Sequence, residues 1–214
     1  MGEVVLRLEG ITKNFGALKA NENVSLNLEK GEVLALLGEN GAGKTTLMNI
    51  LFGQYTADSG RVEVFGKTLP PGMARAALDA GVGMVHQHFT LAHNLSVLEN
   101  VILGTSSLWS WKLRYKLARQ QLLELANRYH LKINPDAKVS SLSVGERQRV
   151  EILKALFRQA KILILDEPTA VLTPQETESL FETLTEATEQ GLSIIFISHK
   201  LHEVMKIAQK VAIL

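Results

Sequence analysis

The 214-residue chain has no cysteine, which excludes disulfides and thiolate metal sites. It also has no surplus of either charge. The 23 basic and 22 acidic residues leave a formal +1, so electrostatics gives no case for a nucleic-acid or anionic-membrane partner. No apolar stretch approaches the roughly 18 residues that span a bilayer. The opening MGEVVLRLEG lacks the basic start and apolar core of a signal peptide. There is no low-complexity tract and no internal repeat. These absences describe a chain expected in the cytoplasm unless another component holds it at a membrane. The length suits one large domain, or one domain with a subdomain, around a substantial core.

What is present is led by GENGAGKT, Gly38–Thr45, which fits the phosphate-cradling pattern G-x-x-x-x-G-K-[ST] at every fixed position. The apolar run EVLALLG leads into it and the helix-compatible TTLMNILFG follows. Strand, glycine loop and helix N-terminus are the context the motif needs. Glycines let successive backbone N–H groups converge on a polyphosphate, the helix dipole adds partial positive charge, and Lys44 adds a full one. The Thr45 hydroxyl is a ligand for Mg²⁺. The expected ligand is a nucleoside triphosphate.

Along the chain, VVLRLE (Val4–Glu9) and VSLNLE (Val24–Glu29) alternate as strands. After the phosphate loop come a helix ending near Gly53, the strand RVEVF (Arg61–Phe65), and a helix in PPGMARAALDAG with proline near its start. GVGMVHQ (Gly81–Gln87) reads as another strand. From about Phe89 to Leu131 the character is helical, with Tyr115, Ala118, Leu122, Leu125 and Tyr129 forming one apolar face. Ser143 and Glu146 have capping-box spacing, as do Thr173 and Glu176 around Pro174. LSIIFISH reads as a buried strand, KLHEVMKIAQ as a helix, and VAIL as the opening of a strand, an ending that suggests truncation. The expected fold is α/β: a phosphate-loop NTPase core with an N-terminal antiparallel β subdomain and an inserted α-helical subdomain. The expected division is 1–88 and 159–214 for the core and 89–158 for the helical part.

ILILDE (Ile162–Glu167) is a short apolar strand ending in two carboxylates. Asp166 is placed to hold Mg²⁺ through its water shell, and Glu167 to orient or deprotonate an attacking water. The alternative is an N-cap carboxylate on the following turn. His199 ends a strand and can reach a γ-phosphate as a donor, although a lone histidine is more often a surface or core residue. Gln87 also stands at a strand end, where its amide can sense the metal or the water. His86 and His88 flank it, but two histidines without a nearby thiolate or carboxylate are a poor metal set.

GENGAGKT, Gln87, LSVGE (Leu142–Glu146), ILILDE and His199 occur in that order, with a helical insert between Gln87 and LSVGE. Together they resemble the ATP-binding cassette ATPases of ABC transporters, across essentially the whole chain. LSVGE discriminates, because other phosphate-loop enzymes lack it. The resemblance implies ATP and Mg²⁺ as ligands. Gly38, Asn40, Gly41, Ala42, Gly43, Lys44, Thr45 and Thr46 would cradle the phosphates, and Thr45, Gln87 and Asp166 would serve Mg²⁺. Glu167 would be the catalytic base, His199 the γ-phosphate switch, and Phe15 the aromatic that stacks on adenine. Two cassettes dock head to tail in that family, so Ser143, Gly145 and Glu146 would act on the ATP of a second cassette.

Three positions depart from the family pattern. Val144 stands where the signature usually has a glycine, Glu146 where it has glutamine, and Thr173 where an aspartate normally couples the two sites. LSVGERQRVEILKAL, DEPTAVLTPQE, MVHQHFTLAHNLSVLENVILG and SHKLHEVMKIA resemble importers for simple sugars and nucleosides, and HQHF with AVLTPQE the nucleoside branch. Those ATPases generally carry two cassettes on one polypeptide, of which this chain resembles the N-terminal one. The implied partners are a second cassette, membrane-spanning permease subunits and, indirectly, an extracytoplasmic binding protein, at the cytoplasmic face of the membrane. Phe89, Leu91, Leu95, Trp109 and Trp111 are candidates for the docking surface, or else subdomain core. The rival readings are a non-transport ABC ATPase on ribosomes or nucleic acid, which the near-neutral charge disfavours, and a degenerate cassette that binds ATP mainly for regulation.

Overall fold

A computed structural model describes residues 2–103 and 111–214, and of residues 111–114 only the backbone. Twelve-residue strands β1 (Val4–Phe15) and β2 (Leu18–Glu29) form an antiparallel hairpin. Both run further than their alternating segments indicate. Gly16, at φ 61, makes the tight turn, and register shifts along the pair absorb the irregular middle, where alternation is lost. Strand β4 (Ser59–Val64) pairs with β1, and the short β5 (Lys67–Thr68) completes a four-stranded sheet ordered β2-β1-β4-β5. Phe65 is not strand but turn, at φ 48.

The second sheet is parallel, ordered β6-β7-β8-β3-β9. Its members are β3 (Val33–Leu37), β6 (Val82–Val85), β7 (Ile162–Asp166), β8 (Ser193–Ser198) and β9 (Lys210–Ile213). β7 and β8 are buried throughout, which is why they read as unbroken apolar runs. Successive side chains serve opposite faces. Ile162, Ile164, Ile195 and Ile197 join the antiparallel sheet and helix α1 (Lys44–Leu51) in one core, whereas Leu163, Leu165, Ile194 and Phe196 join the helical side in another. Phe196 meets Phe181 edge to face at 5.9 Å, worth about 0.5–1.5 kcal/mol beyond area burial.

The remaining helices are α2 (Ala74–Asp79), α3 (Val97–Ile102), α4 (Trp111–Arg128), α5 (Val144–Phe157), α6 (Pro174–Glu189) and α7 (Leu201–Ile207). Pro70 and Pro71 lie before α2, not in its first turn. Tyr115, Ala118, Leu122 and Leu125 on α4, with Tyr129 in the turn after it, pack into the core. Both anticipated capping boxes form, at Ser143–Glu146 and Thr173–Glu176, each cap worth about 1 kcal/mol. A third, Ser96–Glu99, starts α3. The segment from Phe89 is therefore loop, not helix, up to that cap. Buried Asn100 holds the loop open by bonding Ala92 N–H at 2.7 Å and the carbonyls of Ala92 and Ser96 at 3.0 Å. Among the described residues no helix is long and apolar enough to cross a membrane.

Candidate functional site

The phosphate loop joins β3 to α1, and three neighbouring strands end beside it. Asp166 closes β7, His199 follows β8, and Gln87 lies two residues beyond β6. The carboxyl ends of a parallel sheet are where α/β folds gather ligand-binding residues. Asn40, Gly41, Gly43, Lys44, Thr45, Thr46, Gln87, Asp166 and Glu167 line one cavity of about 560 Å³, with Phe15, Leu18, Lys19 and Ala20 on its outer side. Gly38, Ala42 and His199 face a larger opening of about 910 Å³ on the other flank of the loop. We place the chemistry in the smaller one, because it holds the ammonium and both carboxylates.

Gly43 caps α1 in the left-handed region at φ 91, and a Cβ there would lie 2.1 Å from the carbonyl oxygen of Ala20. Only glycine fits. Buried Asn21 on β2 donates to the Gly43 carbonyl at 3.3 Å, so the hairpin braces the loop from behind. The Lys44 ammonium donates to the carbonyls of Gly38 at 2.7 Å and Glu39 at 2.8 Å, which holds the loop closed around its own cation.

Burial pushes the Asp166 carboxyl above its ordinary range, and the charge of Glu167 pushes the same way; His86 and Lys44 oppose them. Glu167 sits at φ 47, a left-handed backbone that costs a non-glycine residue of order 1–3 kcal/mol and tends to occur at functional positions. Its Oε1 lies 2.8 Å from Nδ1 of His199. An ionised carboxylate only accepts, so Nδ1 carries the proton. Glu167 is thus not the N-cap of a following helix: that cap is Thr173. The donor set of Thr45 hydroxyl, Gln87 amide and Asp166 carboxylate is all hard oxygen, and the crowded Asp166–Glu167 charges favour a cation. Both fit Mg²⁺. Among the described residues no three His, Asp or Glu side chains converge as a metal cage.

Phe15 is 45% exposed at the end of β1 and packs edge-on against Tyr55 at 5.8 Å, with the Lys13 ammonium 5.4 Å from its ring. Asp58 fixes that strand end by accepting from Lys13 Nζ at 2.9 Å and Asn14 N–H at 2.7 Å. The Lys13 bond above all holds the Asp58 carboxyl below its ordinary range. Tyr55, Asp58 and Asn21 carry no local motif, so sequence reading passes over them.

Ser143, Gly145 and Glu146 do not line the cavity. They form the first turn of α5, where Ser143 Oγ accepts from Glu146 N–H at 3.2 Å and Glu146 Oε2 from Ser143 N–H at 2.8 Å. The Glu146 carboxylate is therefore a cap on its own helix. Of the docking candidates, Leu91 is core, and Phe89 and Leu95 are half-buried. Trp109 lies outside the described residues, as does the side chain of Trp111.

The family model for the ABC transporter domain matches residues 21–170. The chain belongs to that family. It is 48% identical over 212 residues to the nucleoside import ATP-binding protein NupA of Lactococcus lactis subsp. cremoris, covering 99% of this chain and 42% of that protein. It is 45% identical to the glucose import ATP-binding protein TsgD13 of Haloferax volcanii, over 99% of this chain and 44% of that one. It is 41% identical to the ribose import ATP-binding protein RbsA of Clostridium perfringens, over all of this chain and 44% of that one. The chain thus spans less than half the length of these relatives. Among solved structures, the ADP conformation of an ATP-binding cassette of an ABC transporter superposes with a TM-score of 0.87 at 28% identity. That match covers 99% of this chain and 87% of the cassette. A nucleotide-free cassette from an ABC transporter gives 0.85 at 27%, over 99% and 87%.

Proposed function

We propose that this chain is an ATP-binding and ATP-hydrolysing cassette that energises an importer of nucleosides or simple sugars, nucleosides being the favoured class. One observation carries the reading: Phe15, Lys44, Thr45, Gln87, Asp166 and Glu167, from four separate segments, line a single cavity. The similarity to nucleoside, glucose and ribose import ATP-binding proteins supports the transport role.

Phe15 stacks on the adenine, with Tyr55 holding its ring. The backbone from Gly38 to Thr46 and the Lys44 ammonium receive the phosphates; in doing so Lys44 exchanges its two loop carbonyls for phosphate oxygens. Thr45, Gln87 and Asp166 would hold Mg²⁺, which when bound neutralises phosphate charge. Glu167 accepts a proton from the water that attacks the γ-phosphate, and His199 donates toward that phosphate. Phosphoryl transfer asks the protein mainly for such positioning and electrostatics. Ser143 and Gly145 act on the nucleotide of a second cassette, and permease subunits dock near the loop from Gln87 to Leu95. Residues 1–88 and 159–214 make the nucleotide core, and 89–158 the helical part.

The test is purification of the full-length protein from native membranes, with co-purifying subunits identified and a labelled nucleoside and ribose offered to the receptor. Polytopic membrane subunits and a receptor that binds nucleoside support the proposal. Recovery of ribosomes or DNA instead overturns transport and leaves only the ATPase.

A further inference from the structure

Glu151 is a carboxylate in a run of core residues. Val150, Ile152 and Leu153 beside it on α5 are buried, and Glu151 itself is only 6% exposed. Burying a carboxylate is costly unless its oxygens are bonded, and these are. Oε1 accepts from the Thr90 backbone N–H at 2.6 Å and from the Thr90 hydroxyl at 2.9 Å. The same hydroxyl accepts from Lys154 Nζ at 3.0 Å, and that ammonium lies 3.6 Å from Glu151 Oε2. Carboxylate, hydroxyl and ammonium thus close a three-way grip on one residue. A well-packed apolar side chain is often as stabilising as a buried ion pair. What the grip supplies in addition is position.

Thr90 is the far anchor of the loop that carries Gln87. The near anchor is Val85, the last residue of β6, which pairs with Leu165 of β7, the residue before Asp166. Among the described residues, Gln87, His88 and Phe89 make no hydrogen bond within the protein. The course of the loop is therefore set at its two ends. Gln87 lines the cavity together with Thr45 and Asp166, and its place there depends on where Thr90 is held. A second bond from α5 meets the chain farther on, where Arg158 donates to the Leu103 carbonyl at 2.7 Å. Neither of those two residues lines the cavity.

We propose that Glu151 is a positioning residue for Gln87. By fixing Thr90 it keeps the Gln87 amide at the cavity shared with Thr45 and Asp166, and so sets the affinity for the divalent cation. Lys154 locks the Thr90 hydroxyl from the other side. The inference rests on the reading of Gln87 as a ligand for Mg²⁺.

The experiment titrates the full-length protein with Mn²⁺ in the presence of a non-hydrolysable ATP analogue. Electron paramagnetic resonance reads bound against free cation, and Gln87→Ala shows which bound Mn²⁺ belongs to this cassette. Glu151→Ala should raise the Mn²⁺ dissociation constant about tenfold, the lower end of what outer-shell partners contribute. Thr90→Val keeps the backbone bond and loses the hydroxyl, so the rise should be about threefold, the scale of one hydrogen bond. Thr90→Ser should restore the wild-type value. Affinity for the analogue in EDTA should not change in any of these, because Lys44 and the loop amides carry it. Arg158→Ala removes the other α5 bond and should leave the cation affinity unchanged, as Glu151→Ala would if its role were only structural. Wild-type Mn²⁺ affinity in Glu151→Ala, or in Thr90→Val should Glu151→Ala not fold, overturns the proposal when Gln87→Ala binds weakly. Wild-type affinity in Gln87→Ala overturns the underlying reading, and the proposal with it.

Discussion

The imidazole Nδ1 of His199 lies 2.8 Å from Oε1 of Glu167, so the proposed base and the proposed phosphate sensor already share a hydrogen bond. A carboxylate engaged in this way is oriented, and its remaining lone pairs are still able to accept from a water.

Glu167→Gln keeps the shape and the hydrogen bond to His199 but cannot take a proton. Turnover should fall by 10²–10⁴-fold, the usual contribution of a general base, while ATP stays bound. Single-turnover hydrolysis with retention of labelled ATP checks this. Unchanged hydrolysis removes Glu167 from the role.

His199→Ala leaves Glu167 without its hydrogen-bond partner and removes the proposed donor to the γ-phosphate. The expected loss is in kcat, by about 10–100-fold, the scale of one or two charged hydrogen bonds. The ATP KM should move less than threefold, because Lys44 and the loop amides carry binding. A large rise in KM with kcat intact would make His199 a binding residue instead.

Phe15→Ala should raise the ATP KM about 2–10-fold, as loss of one aromatic contact predicts, with little change in kcat. Phe15→Tyr should restore it, since stacking depends on the ring. Tyr55→Ala should give a smaller rise in the same direction, because Tyr55 only steadies the ring. Equal KM values for all three would move the adenine site elsewhere.

Much of this was legible because it is local. GENGAGKT carries its loop, its cation and its helix start within eight residues. The Ser143 and Thr173 caps each close on a residue three positions on. The long-range ties were not legible. Glu176 meets Gly145 across 31 residues, and Glu151 on α5 accepts from Thr90 N–H at 2.6 Å across 61. Neither pair has a spacing that a sequence pattern could express. The segment from Phe89 to Ser96 reads as the start of the helical insert, whereas the bonds of buried Asn100 fold it as a loop.

Glu203 offers the last prediction, in the pH dependence of stability. It is 3% exposed, and burial alone would raise its carboxyl. The Thr169 hydroxyl at 2.7 Å, the Lys200 ammonium at 3.0 Å and the Ser198 hydroxyl at 3.0 Å outweigh burial and hold it below the ordinary glutamate range. A carboxyl lowered on folding contributes stability that is fully present above its unfolded value, about 4.3, and is lost as pH falls through the folded value. Thermal melts from pH 7 to pH 3 should therefore show an acid loss in the wild type that Glu203→Gln flattens. At pH 7 the variant should be about 1.5–3 kcal/mol less stable, the scale of hydrogen bonds to a charged group, or roughly 3–12 °C in Tm for a chain of this size. Because the same carboxylate ties Thr169, beside Glu167, to Ser198, beside His199, the variant should also lose turnover before it loses ATP. Parallel melting curves at every pH would show that the Glu203 cluster carries no net charge energy and leave His199 positioned by the strand alone.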